Sequence, residues 1–249
     1  MILFGKRLIV VFSLFLIAFI AHHAMVYFHE WIHGTVAWLT GYKSHPFAIH
    51  YGEKWFTLWD IDEAVPYQQI LADGKPSVMA AIAIAPLIFQ ALLFILGLKL
   101  LNMSSIQNRR WVFAFLFWMT FFQLAEIYCY IPIRTFAPKD DVFNFLLATG
   151  LSPWFVAIPG TLFVLWGVYR LLTFEVFRAC DCLQITSKVG RVTFVLATVL
   201  LFFGYYGAVG FTMPDEISHT LSLASWALVP ITLILLYALS PSARKEIGS

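Results

Sequence analysis

Long apolar runs separated by short polar stretches dominate the pattern of this 249-residue chain. Each run comes close to the ~20 residues that a helix needs to cross a bilayer about 30 Å thick. The alternation of apolar runs and polar stretches therefore predicts an all-α, multi-pass membrane protein. We expect about six transmembrane helices, near residues 8–28, 78–101, 111–133, 154–172, 192–211 and 221–239.

The first run has an alternative interpretation as a cleaved signal peptide, because it follows Lys6 and Arg7 and has an apolar core. No small-x-small cleavage site precedes the polar motif that comes next, so we expect the first helix to be retained. No internal repeat or hydrophilic domain divides the rest of the chain. The pattern thus predicts a single membrane domain over residues 1–249.

Two stretches depart from the pattern of spanning helices. Residues 42–76 contain β-prone runs at 47–51 and 55–59, on either side of Gly52-Glu53-Lys54, which predicts a short hairpin. Backbone that is not helical must be buried in protein or line water at membrane depth, so the hairpin should pack close to the first helix. Residues 173–191 mix apolar and charged positions and predict an interfacial connector.

Composition narrows the class of protein further. Hydrophobic residues make up 61% of the chain and charged residues 12%, and the mean hydropathy is +0.81. Soluble domains have about 45–50% apolar and about 25% charged residues. The net charge of +2 is scattered, without a basic cluster, which argues against nucleic-acid binding. We expect the partners to be lipid and transmembrane segments of other proteins.

The lysines and arginines of the short loops are unevenly divided between the two sides of the predicted helices. The positive-inside rule places the richer side in the cytoplasm, and both chain termini lie on that side. We therefore expect cytoplasmic termini. The richer side carries Lys6, Arg7, Lys99, Arg109, Arg110, Arg170, Arg178, Lys188, Arg191, Arg244 and Lys245, and the other side carries Lys43, Lys54, Lys75, Arg134 and Lys139.

The most specific chemical signal is His29-Glu30-Trp31-Ile32-His33, at the far end of the first apolar run. Residues four apart lie on the same face of a helix, so His29 and His33 can bind one zinc ion with Glu30 beside it. Chance would produce this spacing only ~0.006 times in such a chain. A purely structural, hydrogen-bonded histidine pair is the alternative, but these side chains are costly in a membrane unless they are used.

The same stretch carries a family resemblance. With Ala37 and Gly41, it resembles the His-Glu-x-x-His-x-x-x-Ala-x-x-x-Gly signature of the site-2 protease family of intramembrane zinc metalloproteases. Ile84-Ala85-Pro86-Leu87 is similar to the Ala-Gly-Pro of that family, with Ala85 where glycine is usual. Cys129-Tyr130-Ile131-Pro132, followed by Asp140-Asp141, is similar to the Asn-x-x-Pro that precedes the ligand aspartate, with Cys129 in place of asparagine.

The resemblance implies a three-helix metalloprotease core within residues 1–150, and residues 151–249 add three further helices. It implies one catalytic zinc ion held by His29, His33 and an aspartate, with Glu30 as the general base. The family usually places its site toward the cytosol, whereas the charge asymmetry places the motif nearer the opposite face. The resemblance also implies a transmembrane protein substrate. Because no sensor domain is evident, substrate selection falls to the membrane core or to a regulatory membrane partner.

The third ligand is expected at Asp141, with Asp140 as the alternative. Pro132 and Pro138 predict that the chain leaves its helix at Ile131 and re-enters one near Asp141. A ligand at the start of that helix can point back at the two histidines. Asp140 would then cap the same helix by accepting a backbone N–H.

Further polar residues in or near the core spans are candidates for the surroundings of the metal. They are His22, Glu126, Cys129 and Pro132. His22 lies about 10 Å along the helix from His29, too far for a shared ligand, so a cavity-lining role and an interhelical hydrogen bond are both open. Two other functions also stay open: a di-iron lipid hydroxylase or desaturase, which needs several histidine-rich boxes, and a catalytically silent scaffold or chaperone, which has no need of Glu30.

Overall fold

The computed structural model describes residues 2–54 and 58–239 and is mostly helical within them. In this part of the chain six helices are long and apolar enough to cross a membrane, as predicted. They are Val11–Leu39, Pro76–Leu101, Arg110–Ile133, Trp154–Cys182, Lys188–Thr212 and Glu216–Leu236. The protein is therefore an integral, multi-pass membrane protein.

The spans are assembled from regular and irregular helical segments. The α-helices are α1 (Ile2–Leu39), α2 (Tyr67–Ala72), α3 (Pro76–Leu101), α4 (Ser104–Gln107), α5 (Arg110–Tyr128), α6 (Asp140–Thr149), α7 (Trp154–Arg170), α8 (Val176–Cys182), α9 (Lys188–Val199) and α10 (Glu216–Leu239). Short π-helical turns at Cys129–Ile133, Leu171–Glu175 and Leu200–Tyr205 extend α5, α7 and α9. A 3-10 segment, Tyr206–Thr212, follows the last of them.

The described residues form two compact units. The first unit comprises the chain up to residue 124 together with residues 139–152, and the second comprises residues 125–138 and the chain from 153 onward. The first unit therefore contains the histidine motif, the hairpin region and α6. Within it, α3 packs against both α1 and α6.

The first helix is longer than its apolar run predicted. It continues past residue 28 to Leu39, so that the histidine motif lies inside the helix. The helix buries the three polar side chains of the motif nearly or completely: His29, Glu30 and His33. They lower the local hydropathy, but the helical backbone continues through them. A Schellman motif ends the helix. The N–H of Gly41, which has a φ of 83°, donates to the Trp38 carbonyl, and the N–H of Tyr42 donates to the Ala37 carbonyl.

The hairpin exists, but its predicted strand boundaries and turn were wrong. Strands β1 (His50–Lys54) and β2 (Trp59–Asp62) pair antiparallel, with His50 opposite Asp62 and Tyr51 opposite Ile61. Gly52 therefore lies within β1, where its φ of 74° accompanies an irregularity in the strand register. The left-handed glycine is a feature of a bulge here, not of the hairpin turn. Residues 55–57 of the predicted second strand lie outside the described part of the chain.

The connector predicted at 173–191 is largely helical, and its place at the membrane interface stays a prediction. The helix that begins at Trp154 runs through a π-helical turn to Cys182. Glu175 is completely buried in that turn, 3.7 Å from the Arg170 guanidinium and paired with Arg178. Because its charge is paired, the span can continue past it.

In the second unit, small side chains allow close contact between the last two spans. The Tyr128 hydroxyl donates to Ser225 Oγ at 2.5 Å, and that oxygen donates to the Phe203 carbonyl at 2.7 Å. A Cβ atom at Gly207 would overlap the Ser225 side chain, and one at Gly210 would overlap the neighbouring helix. Small residues and serine hydroxyls are common devices of helix packing in membranes.

Candidate metal centre

The two histidines of the motif occupy one buried face of α1. His29 and His33 are 2% and 0% exposed, and their Nε2 atoms lie 3.2 Å apart. The spacing of four residues brings the rings to adjacent turns of the helix, and the same edge of each ring faces the protein interior. The sequence alone predicts this arrangement.

Asp141 supplies the third candidate ligand, from the start of α6. One carboxylate oxygen lies 2.9 Å from His29 Nε2, and the other lies 3.2 Å from His33 Nε2. The chain re-enters a helix at Asp140, close to the predicted position. Asp140 itself is not part of the ligand group. Lys139 occupies the N-cap, and Asp140 is the first residue of α6, with a φ of 73° that is not helical; its capping role stays a prediction.

A backbone carbonyl fixes the orientation of His33. The Nδ1–H of this ring donates to the carbonyl oxygen of Ile82 in α3, at 2.8 Å and away from solvent. Because a carbonyl can only accept, Nδ1 carries the proton, and the neutral ring has its lone pair on Nε2. Histidine ligands of metals are commonly held in this way by a partner on the other ring nitrogen.

The donor chemistry of this group fits a metal ion. A bare lone pair on His33 Nε2 would repel the carboxylate of Asp141, so either a metal ion or a proton on the imidazole must lie between them. Ligand atoms about 2.0–2.1 Å from a tetrahedral metal are separated by about 3.3 Å, close to the distances seen here. The three ligand atoms all lie within 4.8 Å of one another, and all three residues are buried. The group can therefore hold a metal ion.

The charge state of Asp141 supports the same conclusion. Burial alone would raise the pKa of this carboxyl, but the imidazoles of His33 and His29 hold the pKa well below its ordinary value. The side chain is therefore a carboxylate at neutral pH. A carboxylate and two neutral imidazoles form a ligand set typical of borderline divalent metals.

Two further carboxylates act on the group. Glu30 is 8% exposed, and its charge interacts with both imidazoles and with Asp141. Glu63, in the segment after β2, also acts electrostatically on Glu30 and His33, a proximity that sequence reasoning missed. No periodicity marks Glu63, because it lies outside every helix and strand.

Tyr67 and Lys43 lie close to Glu63. The charge of the Glu63 carboxylate acts on the Tyr67 hydroxyl, which lies 3.4 Å from His33 Nδ1. Burial and this neighbouring charge raise the pKa of Tyr67, so the hydroxyl stays protonated and can donate. The Lys43 ammonium donates to the carbonyl oxygens of Glu63 and Ala48. These contacts join the segment after the hairpin to the helix that carries the metal ligands.

The hairpin packs on the same helix, as predicted. Trp31, between the two histidines, stacks its ring on Tyr27 and contacts Phe47, and its Nε1 donates to the Tyr51 hydroxyl at 3.4 Å. On the other side of the motif, a Cβ atom at Gly34 would overlap the carbonyl oxygen of Pro46. The glycine after His33 thus lets the loop approach α1 closely.

The remaining predicted residues are not members of the ligand group. His22 makes an edge contact with Phe122, with ring centroids 5.1 Å apart, and is not a ligand. Glu126, Cys129 and Pro132 belong to the second unit, where Cys129 is buried in the π-helical turn that contains Pro132. Glu126 acts electrostatically there on the hydroxyl of Tyr206. Their expected place around the metal stays a prediction.

Comparisons with known proteins add no family assignment. No protein-family model, curated protein or solved structure matches this chain. The resemblance to site-2 proteases therefore rests on the motif residues, and the functional argument rests on the site itself.

Proposed function

We propose that this protein is a zinc-dependent intramembrane endopeptidase that hydrolyses peptide bonds in or near transmembrane segments of other proteins. One observation carries the proposal: in a multi-pass membrane protein, a buried His29-His33-Asp141 group has a separate buried carboxylate, Glu30, beside it. Three protein ligands leave a fourth position for water, as in catalytic zinc sites. The additional carboxylate is the group that a hydrolase needs and a structural site does not.

The roles of the residues follow from their positions. His29, His33 and Asp141 would hold the zinc ion. When bound, zinc lowers the pKa of a water molecule toward about 7 and polarises the carbonyl that is attacked. Glu30 accepts the proton of the attacking water, and the same proton then goes to the amine nitrogen as the C–N bond breaks. The Ile82 carbonyl keeps the His33 ring in one orientation throughout.

The hairpin favours the interpretation that the substrate is a peptide and not a small molecule. A peptide bond inside a transmembrane helix is already hydrogen-bonded, so the substrate must unwind before hydrolysis. The described sheet has two strands, so each strand has one edge that the other strand does not cover. A free strand edge can bind an extended segment by strand addition, and β1 is fixed to α1 next to the histidines through Tyr51.

The proposal is tested by replacing the general base. Glu30→Gln keeps the size of the side chain and leaves all three ligands intact, so the variant should retain zinc. A positioned general base contributes ~10²–10⁴ in rate, and cleavage of a single-span substrate in matched membranes should fall at least that far. Glu216→Gln, at an exposed position at the start of α10, is the matched control and should cleave normally. Undiminished cleavage by Glu30→Gln would refute the protease proposal.

Metal analysis of the purified protein distinguishes the protease from the two other candidate functions, a di-iron lipid hydroxylase and a silent scaffold. The described residues contain one group of three ligands, whereas a di-iron lipid hydroxylase needs two neighbouring metal sites. One zinc per chain supports the protease, two irons support the hydroxylase, and no metal supports a silent scaffold.

A further inference from the structure

Pro86 lies inside the second span, one helical turn after Ile82, whose carbonyl contacts His33. Proline has no backbone N–H, so it cannot donate to the carbonyl four residues earlier in a helix. For Pro86 that carbonyl belongs to Ile82. Both residues are buried in the first unit, where water cannot replace the missing donor.

The carbonyl that Pro86 leaves without a helical donor is the one that accepts the His33 Nδ1–H, at 2.8 Å. The two helices run antiparallel: Gln90, one turn beyond Pro86, contacts Met25, two turns before His33. The proline is thus in register with the metal ligands. The Tyr67 hydroxyl, at 3.4 Å from the same nitrogen, is a weaker partner by distance.

We propose that Pro86 is a positioning residue of the metal centre. Its missing N–H keeps the Ile82 carbonyl available to His33, and this hydrogen bond turns the Nε2 of the ring toward the metal. The inference rests on the proposed function, because it assumes that the His29-His33-Asp141 group binds zinc. It assigns a specific chemical role to a residue that touches neither metal nor substrate.

A positioning role for Pro86 makes a different prediction from a role in which the proline only bends the helix or fills space. With any other amino acid at this position, an N–H occupies one of the two lone pairs of the Ile82 carbonyl and draws that oxygen into line with the helix, away from His33. Loss of a hydrogen-bond partner behind a metal ligand typically costs 10–100-fold in metal affinity. The helix itself gains a hydrogen bond and loses a poor helix former. Metal affinity and the stability of the metal-free protein should therefore change in opposite directions.

The experiment measures zinc affinity of the full chain in detergent, by competition with a chelator, for wild type and Pro86→Ala. We expect the dissociation constant of zinc to rise about 10–100-fold in Pro86→Ala. We also expect an unchanged or higher Tm of its metal-free form and a shifted visible spectrum of its cobalt-substituted form. Pro159→Ala, inside α7 of the second unit, is the matched control and should keep wild-type zinc affinity.

A second variant separates the missing N–H from the proline ring. Lactic acid incorporated at position 86 supplies an ester oxygen in place of the N–H and has the side chain of alanine. It should restore the zinc affinity and the cobalt spectrum that Pro86→Ala loses. Equal affinities of wild type and Pro86→Ala, or a lactic acid variant as weak as Pro86→Ala, would overturn the positioning role alone. Absence of zinc binding by wild type would overturn the proposed function and this inference together.

Discussion

Replacing Asp141 by asparagine is the most direct test of the ligand set. The substitution preserves shape and removes the negative charge that lies 2.9 and 3.2 Å from the two imidazole nitrogens. Asp141 is the only acidic member of the group, so the remaining ligands are neutral. An amide oxygen is a weaker ligand than a carboxylate, and the amide N–H₂ would point at an imidazole lone pair in one of its two orientations.

The size of the effect can be bounded from the geometry. Groups that merely orient a ligand contribute 10–100-fold to metal affinity, and Asp141 reaches the metal position itself. We therefore expect zinc affinity to fall by at least about 100-fold, which corresponds to about 2.8 kcal/mol at ~1.4 kcal/mol per tenfold. Proteolysis should be lost with the metal at low zinc concentrations and should return partly as zinc is raised.

The neighbouring aspartate provides a matched control. Asp140→Asn makes the same chemical change one residue away, at a half-buried position outside the ligand group. The φ of 73° at this position suits asparagine as well as aspartate, so the backbone should be undisturbed. Zinc titration against a competing chelator should show wild-type affinity for Asp140→Asn. Equal zinc binding by both variants would refute Asp141 as a ligand, and the reverse order would assign that role to Asp140.

Other predictions concern the loop at Gly34, metal removal, acid and orientation. Gly34→Ala should lower the Tm, because overlap with the Pro46 carbonyl costs about 1–3 kcal/mol, more than the ~1 kcal/mol of helix propensity gained. At Gly204 a Cβ meets open space, so Gly204→Ala should not destabilise. Chelation of zinc should lower the Tm, since ligand at 100 times its Kd stabilises by about 2.7 kcal/mol; an unchanged Tm would mean that no metal was bound. The lowered pKa of Asp141 means that its stabilising contribution is complete above about pH 4 and is lost as the pH falls through that lowered value. Metal-free Asp141→Asn should therefore lose less stability in acid than metal-free wild type, as measured by Tm against pH. A cysteine at the exposed Glu53, in protein without native thiols, should be labelled from the non-cytoplasmic side. Labelling only from the cytoplasm would reverse the predicted orientation.

The sequence determined those features of the protein that depend on neighbouring residues. The six spans follow from hydropathy, which acts over about 20 consecutive residues. The shared face of His29 and His33 follows from the helical repeat, and it requires only that the helix continue through the motif. A new helix close to Asp141 could also be predicted, because prolines act on their own backbone and on the residue before them.

The tertiary structure decided which distant groups complete the site. Asp141 reaches His29 across 112 positions of sequence, and only the packing of α6 against α3 and of α3 against α1 brings them together. Glu63 comes from a segment with no periodicity, and the partner of His33 is a backbone carbonyl, which no residue type marks. Pro86 could be recognised in the sequence, but its role became visible only when the Ile82 carbonyl was seen to accept from His33. Local rules specify a helix and its faces, whereas a metal site depends on which faces pack together, and that is settled by the burial of the whole chain.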